Sequence, residues 1–104
     1  MNKALNILVI GRHREILETV LRLLNSQPGW KAEGALSDHE AEAKFSQSIF
    51  ECVLIGGGVE AASESQLTAH FKKLRPQTRV IRHFGGGSGL LFNEIQQALE
   101  RSEG

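Results

Sequence analysis

The sequence predicts a three-layer α/β/α fold built on a four-stranded parallel sheet in the order 2-1-3-4. Two short runs, Leu5 to Ile10 and Ile49 to Ile55, are almost unbrokenly apolar, as strands covered on both faces read. Segments with apolar residues at helical spacing separate the strands, so right-handed crossovers return the chain to a parallel neighbour. Glycine or proline marks most of the junctions.

The first strand, Leu5 to Ile10, ends at Gly11. Ile16, Leu17, Val20, Leu21 and Leu24 then recur at helical spacing through Asn25, and Pro28-Gly29 stops that helix. Trp30, Ala32, Gly34 and Leu36 alternate with Lys31, Glu33 and Ala35, the pattern of a half-exposed strand. Ser37 and Glu40 have capping-box spacing and open a helix with Ala41 and Phe45 on one face. Ile49 to Ile55 is the third strand, closed by Gly56-Gly57-Gly58. Ser63 and Gln66 repeat the capping-box spacing before a helix carrying Leu67, Phe71 and Leu74, which Arg75-Pro76 ends. Thr78 to Phe84 reads as the fourth strand, Gly85 to Gly89 as a loop, and Leu91, Ile95, Ala98 and Leu99 mark a last amphipathic helix. The two most apolar strands, first and third, belong in the centre, and the more charged second and fourth at the edges. That arrangement is the beginning of the flavodoxin-like order.

Length and composition narrow the function. The 104 residues fit one domain, 1–104. Twelve basic residues balance twelve acidic ones, so no net field draws the chain to nucleic acid or an anionic membrane. No apolar run is long enough to span a bilayer, and MNKALNILVI does not read as a signal peptide. With one cysteine, Cys52, no internal disulfide can form, which points to the cytoplasm. Its apolar surroundings predict a buried, inert thiol. His13, His39, His70 and His83 lack partners at zinc spacing, and Ser88 does not sit in a G-x-S-x-G elbow. No catalytic set, metal or cofactor is expected.

The ILVIGRHREILETVLRLL opening, the FECVLIGG third strand and the GLLFNEIQQAL closing helix resemble the receiver domain of bacterial response regulators. The resemblance covers nearly the whole chain and implies a signalling module. It also implies where phosphorylation chemistry would stand. Receivers hold Mg²⁺ with an acidic pair just after the first strand, where this chain has Gly11, Arg12 and His13. Their phospho-accepting aspartate ends the third strand, where Gly56 or Gly57 stands, and a hydroxyl ends the fourth, where His83 and Phe84 stand. The fifth strand with its Lys-Pro is missing, as though one βα unit were lost. The surviving readings are a degenerate receiver that cannot be phosphorylated, or a domain that shares only the topology.

Ligands of open parallel sheets bind at the carboxyl ends of the strands. Three loops converge there, bringing Arg12 and His13, then Gly57 and Gly58, then His83, Gly86, Gly87 and Ser88. Exposed backbone N–H groups and an arginine can hold a phosphate, a nucleotide phosphate or a carboxylate. The bland account of the same residues is a set of tight turns with a solvated arginine. The favoured function is a non-catalytic regulatory module acting through a protein partner or a homodimer, and the alternative is a small-anion-binding protein. The outer edge of the fourth strand, carrying Arg79 and Arg82, is expected either to be protected by that charge or to serve as a partner surface.

Overall fold

The computed structural model describes residues 5–56 and 58–82, together with Asn93, Ile95 and Gln97. In chain order the elements are β1 (Leu5–Ile10), α1 (Arg14–Asn25), β2 (Trp30–Ala35), α2 (Asp38–Gln47), β3 (Cys52–Ile55), α3 (Ala61–Leu74) and β4 (Arg79–Arg82). The strands pair in parallel in the order β2-β1-β3-β4, as the sequence predicts.

The two faces of the sheet carry separate cores, and the alternation of β1 feeds both. Leu8 and Ile10 join Phe45, Val53, Ile55, Leu67 and Phe71 beneath α2 and α3. Ile7 and Val9 join Leu17, Leu24, Cys52 and Leu54 beneath α1. The helical residue Ile95 is buried in that second core, while Asn93 and Gln97 beside it are exposed. All four residues of β3 are buried and none of β4 is, which separates the central strand from the edge. Val80 packs on the α2/α3 side and Ile81 on the α1 side.

The capping box at α2 forms with a shift of one residue. Ser37 Oγ accepts from the Glu40 N–H at 3.1 Å, and Glu40 Oε1 accepts from the Leu36 N–H at 2.9 Å rather than from the cap itself. Three expected boundaries move. The third strand starts at Cys52, because Ile49 is 65% exposed and only Phe50 of the preceding residues turns into the core. The third helix starts at Ala61 with Glu60 as its N-cap, so Ser63 lies inside the first turn instead of capping it. The fourth strand starts at Arg79, and the buried Thr78 hydroxyl instead donates to the Phe50 carbonyl at 2.9 Å. The expected loop at 85–89, and the last helix apart from positions 93, 95 and 97, lie outside the described residues.

Gly34 lets α1 approach β2. A Cβ there would lie 2.9 Å from both Leu17 Cδ2 and Leu21 Cδ1. Both leucines face the sheet, so they have little room to yield. Gly34→Ala is therefore expected to destabilise the protein by about 1–3 kcal/mol through overpacking. Thermal unfolding should show this as a fall in midpoint of roughly 4–8 °C per kcal/mol; an unchanged midpoint would contradict the tight α1–β2 seam.

Candidate functional site

The carboxyl ends of β1 and β3 lie side by side at the centre of the sheet, and the chain leaves each through a glycine. The Gly11 N–H donates to the Ala35 carbonyl at 3.0 Å, and the Gly56 N–H to the Ile10 carbonyl at 2.8 Å. These bonds extend the ladder one residue past the strands. A Cβ on Gly56 would stand 3.1 Å from that same Ile10 oxygen, so the backbone of β1 occupies the space a side chain here would need.

Arg12 follows immediately, and three of its nitrogens are engaged. Nη2 donates to Asp38 Oδ1 at 2.6 Å, Nη1 to the Leu36 carbonyl at 3.3 Å and Nε to Glu60 Oε1 at 3.2 Å. Asp38 is the first residue of α2 and Glu60 the N-cap of α3, where negative charge also meets the positive ends of the helix dipoles. One guanidinium thus ties the end of β1 to the beginnings of two helices. Ser63, in the first turn of α3, also favours the charged Asp38 carboxylate. A second arginine, Arg82, works the same way from the end of β4. It pairs with Glu64 in the first turn of α3 and donates from Nη2 to the Val59 carbonyl at 3.0 Å.

These contacts set the local electrostatics. The Arg12 hydrogen bond, followed by that from Ser63, holds the Asp38 carboxyl below the usual aspartate range. Glu60 is lowered first by its own backbone N–H and then by Arg12. Arg12 is raised in turn, chiefly by its bond to Asp38. Among the described residues, Arg12 and Arg82 at the rim are both held in ion pairs.

Of the residues the sequence singled out for an anion site, Arg12, His13 and Gly58 come together. A Cβ on Gly58 would lie 3.8 Å from Arg12 Cβ and 3.7 Å from His13 Cδ2. His13 is the exposed N-cap of α1, and its side chain makes no capping bond. Gly57, His83, Gly86, Gly87 and Ser88 lie outside the described residues. Sequence reasoning missed Asp38, Glu60, Ser63 and Glu64, because the carboxylates come from positions distant in the chain from the arginines they meet. Among the described residues no group of three His, Cys, Asp or Glu side chains converges to hold a metal ion. Cys52 is buried beneath the sheet face, and burial pushes its thiol up to about 12, far from a thiolate nucleophile.

The fold is that of response-regulator receivers. A CheY-like receiver domain protein from Methanospirillum hungatei superposes with a TM-score of 0.81 at 18% identity, covering 97% of this chain and 98% of that one. A receiver domain from Clostridium thermocellum gives 0.76 at 18% identity, over 95% and 97% of the two chains. The response regulator TrrA of Thermotoga maritima, in complex with Mg²⁺ and BeF, gives 0.74 at 14% identity over 90% and 98%. No family model matches the sequence. No curated protein matches it either.

The lowered Asp38 gives a pH dependence with a definite sign. A folded-state value below the unfolded one contributes stability above the ordinary aspartate range, which is lost as pH falls through the folded value. Asp38→Asn is expected to be less stable than the parent by about 1–2 kcal/mol near pH 7, the size of a partly exposed charge-assisted hydrogen bond. Urea unfolding at about pH 7 and about pH 3 should show the gap narrowing in acid. A gap of the same size at both would mean that the carboxylate charge plays no part.

Proposed function

We propose that this chain is a pseudo-receiver: a non-catalytic cytoplasmic regulatory module that keeps the receiver fold, takes no phosphoryl group and acts through contacts with another protein or a second copy. The observation that carries this reading is the engagement of Arg12 by Asp38, Glu60 and the Leu36 carbonyl. In the receiver arrangement the acidic pair that holds Mg²⁺ follows the first strand. Here the same place supplies a cation, and nearby carboxylates close around it. Phosphoryl transfer needs an acceptor and a metal to balance the charge on the transferred group. Gly56 offers no carboxylate at the end of β3, and Arg12 opposes a divalent ion.

A small-anion site on the same rim is the second reading, supported by the adjacency of Arg12, His13 and Gly58. We place it second because the Arg12 guanidinium already faces two carboxylates, which repel an incoming anion.

One experiment addresses both. The purified protein is incubated with acetyl phosphate and MgCl₂, then examined by intact mass and by thermal unfolding, with inorganic phosphate and ATP in parallel. The pseudo-receiver reading expects no phosphoryl adduct and an unchanged midpoint throughout. A Mg²⁺-dependent adduct would overturn it. A ligand at about 100 times its dissociation constant adds ~2.7 kcal/mol of stability, so a midpoint raised by phosphate or ATP alone would move the anion site to first place.

A further inference from the structure

We draw no further inference here: the strongest candidate, the exposed surface patch of Ile49 and Leu74 with Lys72 and Lys73 at the pole where α2 and α3 end, carries nothing because nothing in the structure shows what covers it.

Discussion

Arg12 is where the architecture and the chemistry of this protein meet. It sits at the end of the central strand, and its hydrogen bonds reach 26 residues along the chain to Asp38 and 48 residues to Glu60. Each partner stands at the start of a helix, so one side chain fixes where α2 and α3 begin relative to β1. A divalent cation bridging loops at the head of a sheet would do similar work, but it can leave. A guanidinium tethered to the backbone cannot, and its planar array of donors suits carboxylates. Arg82 repeats the device at the other side of α3 through Glu64 and Val59. The consequence is that both arginines are already paired with the chain's own carboxylates.

The fold was legible in the sequence because burial on both faces leaves a strong mark. Leu5 to Ile10 must satisfy two cores at once, so it reads as a continuous apolar run, and the alternation inside it needs no polar face. The edge strand β2 alternates because only one side of it is covered. Order followed from that contrast alone. Boundaries were less legible where local signals competed with packing. Ser63 carries the spacing of a cap, but Glu60 starts the helix, and Ser63 is drawn to Asp38. Ile49 extends an apolar run that the strand does not use.

The site was legible in position but not in partners. The rule that ligands gather at the carboxyl ends of strands singled out Arg12, His13 and Gly58, and these three lie beside one another. No local pattern could join Arg12 to Asp38 and Glu60, because those contacts exist only once the crossovers have brought three loops together. Asp38 and Glu60 each stand at the start of a helix, where an acidic residue needs no distant partner to account for it. The bonds of Asn25 to the Ala32 backbone and of Lys44 to the Gly34 carbonyl were hidden for the same reason, since both side chains look like solvated helix residues until β2 lies beside them.

The central claim is that Arg12 and Asp38 act as a pair that holds the head of the sheet together. The direct measurement is a double-mutant cycle on Arg12→Ala and Asp38→Ala, with stabilities from urea unfolding near pH 7. The account predicts a coupling of about 1–2 kcal/mol between the two substitutions, within the range found for residues sharing a polar network. Purely additive effects would contradict it, and would leave Arg12 as a surface arginine that happens to lie near two carboxylates.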